Sequence, residues 1–287
     1  MLISDLIENS YRHHSARGKL PWARETWRIW KQHILPIIGD GPADKLSTKH
    51  QELYRSKRAS EGACPSTINR ELQALRRAYK LGAQHEPPMV SRVPYFLMAK
   101  LNDARKVFID MNTLGRLRSE ASRHSPWMRC AVELAFSFGW RRGEIVGLKV
   151  GDVDLFDGSV RLQTSKNGEP REAPITATLR PFLEPLVLGR KPTEPLLGQS
   201  LGTFSYQWRA VRKAAGAENF IFHDFRRTSA RVKRQAGVAT STIMELQGWK
   251  TEAMFRRYCI VDRADKLDAL RRQEQWEQRV STEMAAR

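Results

Sequence analysis

The chain has 287 residues, which is long enough for two domains of ordinary size. Apolar residues make up 41% and charged residues 28%, a composition typical of a folded protein rather than a disordered one. The formal net charge is +18, and the basic excess is spread over both halves of the chain. Such an excess indicates a polyanionic partner, most simply nucleic acid bound along an extended surface.

The sequence argues against membrane-spanning, secreted and metal-dependent classes. No stretch approaches the ~18 consecutive apolar residues of a transmembrane helix, and the N-terminus lacks the pattern of a secretory signal. Cys64, Cys130 and Cys259 are odd in number and far apart, which predicts a reduced, cytoplasmic protein without a disulfide framework. The histidines show no ligand spacing such as HExxH, so no metal site is predicted.

Residues 1–88 are predicted to form a helical domain. Trp22, Trp27 and Trp30 fall in one helical segment and are expected in its core, because helix-spaced aromatic side chains usually pack together. Residues 66–81 form a clearer helix, with apolar residues at i, i+4, i+7 and i+11 counted from Ile68. The basic residues of this helix lie largely off that stripe, where they either solvate it or contact DNA phosphates; they are Arg70, Arg76, Arg77 and Lys80.

A proline-rich stretch follows, and it predicts a linker over 89–104 before a second domain at 105–287. Helices are predicted over 111–122 and 126–148, and again from about residue 176 to the end. Between them, SVRLQTSKNGEPREAPI alternates apolar and polar residues around Asn167-Gly168, which predicts a β-hairpin. The predicted fold class is mainly α with a small β-hairpin or sheet (α+β).

Four local clusters after residue 104 carry side chains suited to chemistry. Arg141 and Glu144 are three residues apart and share a helix face. Each cluster alone fits ordinary surface charge or packing, but their order and spacing together favour a functional site. The clusters are Gly139–Glu144, Lys166 at the predicted turn, His223–Arg226, and Gly248-Trp249 followed by Tyr258.

In this order, the clusters resemble the tyrosine recombinase family, which includes phage integrases and the Xer and Cre recombinases. Phe138–Glu144 is similar to the family's first arginine box, with Arg141 as its arginine, and Lys166 matches the hairpin lysine. His223–Arg226 is similar to the H-x-L-R box, and Tyr258 matches the nucleophile. Leu246–Trp249 resembles the L-G-H or L-G-W motif, with one residue more between Leu and Gly.

The resemblance extends to the N-terminal half, which looks like the helical core-binding domain of integrases. Many integrases carry a further arm-binding domain before it, whereas this sequence begins almost directly at the core-binding region.

The resemblance implies that the protein cleaves and rejoins DNA through a covalent 3′-phosphotyrosyl intermediate, with Tyr258 as the nucleophile. Arg141 and Arg226 would hold the non-bridging phosphate oxygens, because forked guanidinium donors suit the charge that develops there. The resemblance also implies that the Trp249 indole donates a hydrogen bond and that His223 acts as a base or hydrogen-bond partner. Lys166 would donate a proton to the leaving 5′-oxygen, and Glu144 would hold Arg141 or His223 in place. No metal, ATP or other cofactor is implied, since the arginines take the metal's place.

The implied partners are double-stranded DNA and further copies of the chain, in a homo-tetramer on two recombination sites that passes through a Holliday junction. Accessory DNA-bending or directionality factors are also implied, with no membrane and a cytoplasmic, nucleoid-associated location. In many members a C-terminal segment docks on the neighbouring protomer. Here Leu267, Leu270 and Trp276 could line such a segment or pack on their own domain.

The favoured function is therefore integration or excision of a mobile element. One alternative is a catalytically silent DNA-binding protein with a regulatory or architectural role, although every candidate catalytic position is filled. The other is a nicking-closing enzyme similar to type IB topoisomerases, which shares the chemistry. It ranks lower because the N-terminal half resembles the integrase type.

Overall fold

In a computed structural model, the chain folds as two units, Met1–Asp103 and Ala104–Arg287. The structure describes residues 1–101, 107–163, 170–258 and 263–285, except for the side chains of residues 257, 264, 265, 283 and 285. Within these ranges, no helix is both long and apolar enough to cross a membrane.

The N-terminal unit is helical, and its core is close to the predicted one. Ile68 and Tyr79 of the predicted helix are at most 3% exposed, so the apolar stripe faces inward. Trp30 is buried as expected, but Trp27 is 38% exposed, because the buried face of its helix runs through Ala23, Thr26 and Ile29. The helices are α1 (Ile3–Ala16), α2 (Leu20–Ile29), α3 (Leu35–Ile38), α4 (Thr48–Ser60) and α5 (Pro65–Ala83), with a π-helical turn (Trp30–Ile34) between α2 and α3.

Much of the segment predicted as a linker is packed against this unit. Phe96 is 5% exposed in the N-terminal core, together with Val90. The side-chain amide of Gln51 bonds the carbonyl of Tyr95 (2.7 Å) and the amide of Leu97 (2.9 Å). Asn69 bonds both backbone groups of Ala99 in the same way (2.8 and 2.9 Å). Buried backbone needs hydrogen-bond partners, and here α4 and α5 supply them from side chains.

The C-terminal unit is mainly α with one small antiparallel sheet of order β1-β2-β3, which confirms the predicted fold class. Its elements are α6 (Met111–His124), α7 (Pro126–Phe138), α8 (Arg142–Val146), β1 (Val153–Asp154), β2 (Ser159–Leu162), β3 (Arg171–Pro174), α9 (Arg180–Val187), α10 (Leu201–Ala214), α11 (Asp224–Gln235), α12 (Thr240–Gln247), α13 (Glu252–Tyr258) and α14 (Arg263–Ala285).

One local difference from the sequence prediction shapes the site. The expected single helix over 126–148 breaks into α7 and α8, because Gly139 takes the left-handed conformation (φ 66°) that ends α7. The predicted hairpin forms between β2 and β3, in a register that pairs Leu162 with Arg171. Its turn at Asn167-Gly168 lies outside the described residues.

Helix α11 lies against α7 and starts in the core of the C-terminal unit. Its first seven residues are all buried, and Phe225 packs at right angles to Phe220. Further along, the ammonium of Lys233 donates to the Ser137 carbonyl and the Ser229 hydroxyl, each at 2.6 Å. The start of α11 is therefore held rigidly, and Arg226 with it.

Candidate active site

The short helix α8 presents Arg141 and Glu144 as one unit. The Glu144 carboxylate accepts the Arg141 backbone N–H at 2.8 Å and the Arg141 guanidinium at 2.7 Å. An acidic side chain in the first turn satisfies a free N–H there and favours the positive end of the helix dipole. The Arg141 side chain keeps 20% exposure, whereas that of Glu144 keeps 7%. Arg141 is thus fixed at its base and open to a ligand.

Strand β3 brings a second guanidinium to the same carboxylate. The Nη2 atom of Arg171 lies 2.8 Å from the Glu144 carboxylate, and Nη1 donates to the Gln247 carbonyl at 2.7 Å. Burial raises the pKa of Glu144, but the hydrogen bonds from Arg141 and the charge of Arg171 outweigh it, so the net pKa is lowered. Glu144 is therefore an anion that joins α8 to β3.

Arg226 is the most enclosed charge of the site, with 1% exposure. Its guanidinium donates to the carbonyls of Gly139 (2.6 Å) and Gln247 (2.5 Å), which joins the end of α7 to the end of α12. Burial and the neighbouring Arg141 lower the pKa of Arg226 to about 9. It thus remains a cation at neutral pH, with the Trp249 ring centroid 5.1 Å from its Cζ atom.

The last carbonyls of α12 accept hydrogen bonds from side chains of other elements. Trp140 Nε1 donates to the Leu246 carbonyl at 2.9 Å, and the Gln247 carbonyl accepts from both arginines described above. Helix C-termini leave such carbonyls unpaired and favour cations. Gln247 itself is fully buried and ends α12, and Gly248 forms the left-handed cap. The additional residue in Leu246–Trp249 is thus the last residue of α12.

Tyr258 closes the site at the end of α13. Its hydroxyl lies 3.2 Å from His223 Nε2, and its ring stacks on Trp249 with centroids 5.1 Å apart and planes 14° apart. Trp249 is 4% exposed, and its indole N–H has no hydrogen-bond partner within the described residues. A phenol, an imidazole and an unused indole donor therefore lie together above Arg226.

His223 precedes α11 and remains exposed on one side. Its pKa is lowered from the ordinary 6.5, first by the protein packed around the ring and then by the positive charge of Arg226. The ring is therefore neutral at pH 7, and its Nε2 atom can accept the hydrogen of the Tyr258 hydroxyl.

The described part of the chain brings six predicted site residues together: Arg141, Glu144, His223, Arg226, Trp249 and Tyr258. Lys166 lies outside the described residues. Arg171 and Gln247 were missed, because no local spacing connects them to the other clusters. In the described ranges, no three His, Cys, Asp or Glu side chains are grouped as metal ligands would be.

The helix proposed to contact DNA, α5, belongs to the N-terminal unit. Arg70, Arg77 and Lys80 are exposed on it, and Arg76 is half-buried.

Comparison with known proteins settles the family. The family model described as "Phage integrase family" matches residues 108–264, which is more than half of the chain. The chain belongs to the phage integrase family. The resemblance seen in the ordered residue clusters is thereby confirmed.

Two curated relatives and one solved structure show how similar this phage integrase family member is to known proteins. It is 26% identical over 277 residues to the integrase of Salmonella phage P22, covering 90% of this chain and 66% of that one. It is 28% identical over 148 residues to the shufflon-specific DNA recombinase of Escherichia coli, covering 50% and 38%. The chain thus spans less than two thirds of these relatives.

The structure of a lambda integrase(75–356) dimer bound to a COC′ core site matches with a TM-score of 0.72 and 20% identity, covering 90% and 95% of the two chains. At that identity, the match shows the fold.

We expect Gly248→Ala to loosen the junction between α12 and β3. A Cβ atom at this position, where φ is +65°, would lie 2.1 Å from Nη1 of Arg171. Alanine would strain the backbone and push Arg171 from Glu144 and Gln247, at a cost of about 2–4 kcal/mol in the free energy of unfolding. Calorimetric unfolding measures this. The control is Gly115→Ala in α6, where a Cβ meets nothing within 4 Å and should stabilise by ~0.5–1 kcal/mol. Equal midpoints for the two variants would contradict the expectation.

Proposed function

We propose that the protein is a site-specific tyrosine recombinase that cuts and rejoins DNA through a covalent bond between Tyr258 and a 3′-phosphate. The observation that carries the proposal is the 3.2 Å contact between the Tyr258 hydroxyl and His223 Nε2, beside the buried charge of Arg226. A phenol keeps its proton at neutral pH, so its attack on phosphorus needs a nearby acceptor. Neutral His223 supplies one.

The arginines differ in how they would act on the phosphate. Arg141 is partly exposed and can donate directly to non-bridging oxygens, with Glu144 holding its side chain in place. Arg226 lies beneath the rings of Trp249 and Tyr258. It donates one N–H to each of two backbone carbonyls. Its main contribution in this proposal is therefore a positive charge close to the reacting phosphate. The unpartnered indole N–H of Trp249 adds a donor when the phosphate binds.

Lys166 is proposed as the proton donor to the leaving 5′-oxygen. The support from the described residues is indirect. Strand β3 begins at Arg171, directly after the segment that contains Lys166, and the Arg171 guanidinium is paired with Glu144. The start of β3 is therefore anchored at the site.

The partner in this proposal is double-stranded DNA, bound by both units. Arg70, Arg76, Arg77 and Lys80 of α5 are not in any ion pair found between described residues, although Arg77 lies 5.7 Å from the centroid of the Trp22 ring. Such side chains can contact phosphates. The similarity to the P22 integrase favours insertion or excision of a mobile element as the role. The functional domains are proposed as a core-binding region in the N-terminal unit and a catalytic region in the C-terminal unit.

We further propose assembly into a tetramer on two sites, with α14 docking on a second copy. Leu267, Leu270 and Trp276 are 48–57% exposed, and none of the described side chains of α14 is buried. A hydrogen bond from Arg272 to the Gln235 carbonyl (2.9 Å) ties the helix to its own domain. This exposure supports docking on a partner over packing on the same domain.

Covalent trapping tests the proposed function. The protein is incubated with duplex DNA from around its own gene in the presence of EDTA and then denatured. We expect a protein–DNA adduct with Tyr258 as the linked residue by peptide mass spectrometry, and sequencing of the trapped end locates the site. Failure to form an adduct while salt-sensitive DNA binding persists would favour the regulatory DNA-binding alternative.

The pKa of His223 predicts the pH dependence of cleavage. Because that pKa lies below 6.5, the ring is neutral and able to accept a proton above pH 6.5, so the rate of adduct formation should be level there. Below the lowered pKa of His223 the ring becomes protonated, and the rate should then fall by about tenfold per pH unit. His223→Gln is expected to react slowly without this acid limb. An acid limb that persists in the variant would assign the titration to another group.

A further inference from the structure

A basic cleft of about 500 Å³ opens beside Arg141 and His223. Its walls come from α10, the start of α8 and the residues that lead into α11. Within the described residues, no Asp or Glu lines it. Its cationic residues beyond the candidate active site are Arg142, Arg209 and Arg212.

These three arginines have no acidic partner among the described residues. Ion pairs found elsewhere in this unit join arginines to neighbouring carboxylates, as in Arg180–Glu184 and Arg190–Glu194. No ion pair between described residues involves the three cleft arginines. Their positive charge is therefore not compensated within the described part of the protein, which favours an anionic ligand.

The contacts that the cleft arginines do make are with neutral groups. Arg142 donates to the Ser205 hydroxyl at 2.8 Å, and the Cζ atom of Arg209 lies 5.8 Å from the Tyr206 ring centroid. Arg212 makes a long contact of 3.4 Å with the Phe220 carbonyl. A guanidinium has five N–H donors, so each of the three has donors left over.

The wall behind them is aromatic and includes the buried side chain of Trp208. Trp208 lines the cleft and is 4% exposed, with its ring 5.2 Å from that of Phe222 and nearly perpendicular to it. Its indole N–H is buried without a hydrogen-bond partner among the described residues. Because the Nε1 atom itself is enclosed, the donors that the cleft offers to a ligand are those of the guanidinium groups.

We propose that this cleft binds a backbone phosphate of the same DNA strand, next to the phosphate that Tyr258 attacks. The inference rests on the proposed function, because the cleft shares Arg141 and His223 with the candidate active site. Phosphates repeat every ~3.4 Å of rise along one strand, so a strand with one phosphate at Arg141 carries its next ones past the adjoining cleft. Arg209 and Arg212 hold such a phosphate through forked donors and fix the strand in register with Tyr258.

The salt dependence of DNA binding tests the proposal. Dissociation constants of Arg209→Gln, Arg212→Gln and the double variant are measured over a series of KCl concentrations. The probe is a fluorescein-labelled duplex with the sequence recovered by trapping, or duplex DNA of arbitrary sequence if no adduct forms. Each phosphate contact contributes about 0.9 to the slope of log Kd against log salt. Each single variant should therefore lose about one unit of slope and bind roughly threefold to tenfold more weakly, and the double variant should lose about two.

Lys213→Gln is the matched control. Lys213 lies on the same helix α10, is exposed and does not line the cleft. Its replacement by glutamine removes one positive charge, as each single cleft variant does. Its slope should equal that of the wild type. Arg209→Glu should weaken binding further than Arg209→Gln, because it introduces repulsion, and unfolding midpoints of all variants check that they fold.

Equal slopes for the cleft variants and Lys213→Gln would overturn the proposal. The proposal would also be overturned if single protomers of the cleft variants bound DNA normally and only assemblies of several protomers were lost. In that case the cleft would contact protein and not DNA. The slopes of log Kd against log salt can be measured whether or not a covalent protein–DNA adduct forms. A wild type without adduct would therefore count against the proposed function, and unchanged slopes against the cleft.

Discussion

Tyr258→Phe should form no covalent adduct with DNA while binding it within a few-fold of the wild type. The substitution removes one oxygen atom, and with it the only proposed nucleophile. The ring can keep its stack on Trp249 and its position near Arg226. What is lost in the folded protein is the hydrogen bond to His223, a change of about 0.5–1.5 kcal/mol in the free energy of unfolding. Denaturing gels measure the adduct, and fluorescence anisotropy measures binding.

The matched control is Tyr95→Phe in the N-terminal unit. Tyr95 is 74% exposed, and the described contact it makes is through its backbone carbonyl. This variant should form the adduct at the wild-type rate. An adduct in Tyr258→Phe would place the nucleophile elsewhere, and a large loss of DNA affinity would show that Tyr258 does more than attack.

Arg226→Lys should lose both catalysis and stability. A lysine keeps a charge but cannot donate to the carbonyls of Gly139 and Gln247 while also facing Trp249. The Gly139 carbonyl would lose its described donor and the Gln247 carbonyl would keep only Arg171, so we expect a loss of about 3–5 kcal/mol in the free energy of unfolding. The rate of adduct formation should fall by roughly 10²- to 10³-fold or more, because a pre-aimed charge is displaced.

Arg190→Lys separates the two effects. Arg190 also donates to backbone carbonyls, those of Leu186, Pro195 and Leu196, but it lies outside the candidate site. Its substitution should lower the unfolding midpoint and leave the adduct rate of the folded protein unchanged. If Arg226→Lys reacts at the wild-type rate below its unfolding temperature, Arg226 has only a structural role.

The candidate site was largely predictable, because its residues occur in short clusters whose internal spacing is set by helices. Arg141 with Glu144, and His223 with Arg226, are each three residues apart and fall where a helix places them together. The order of the clusters along the chain supplied the rest through the family resemblance. The hairpin was predictable for a similar reason, since Asn167-Gly168 is a strong local turn signal.

Contacts between distant segments were not predictable. Arg171 meets Glu144 and Gln247 across 27 and 76 residues of sequence, and no periodic pattern encodes such a pair. The packing of the segment after Pro88 was missed for the same reason, because its hydrogen bonds come from Gln51 and Asn69 on separate helices. Arg209 and Arg212 were not predicted, because the absence of carboxylates around them arises only in the fold.

The two hydrogen bonds of Arg226 also bear on how such an enzyme can lose its activity. A chain that drifts toward a purely regulatory role can discard the Tyr258 hydroxyl at a cost of only about 0.5–1.5 kcal/mol in the free energy of unfolding. Discarding Arg226 would leave the ends of α7 and α12 without their shared donor and expose the protein to degradation. Silent descendants of this chain should therefore keep the arginine long after the tyrosine is gone. For the same reason, an inert protein for studying bound DNA is best made at Tyr258.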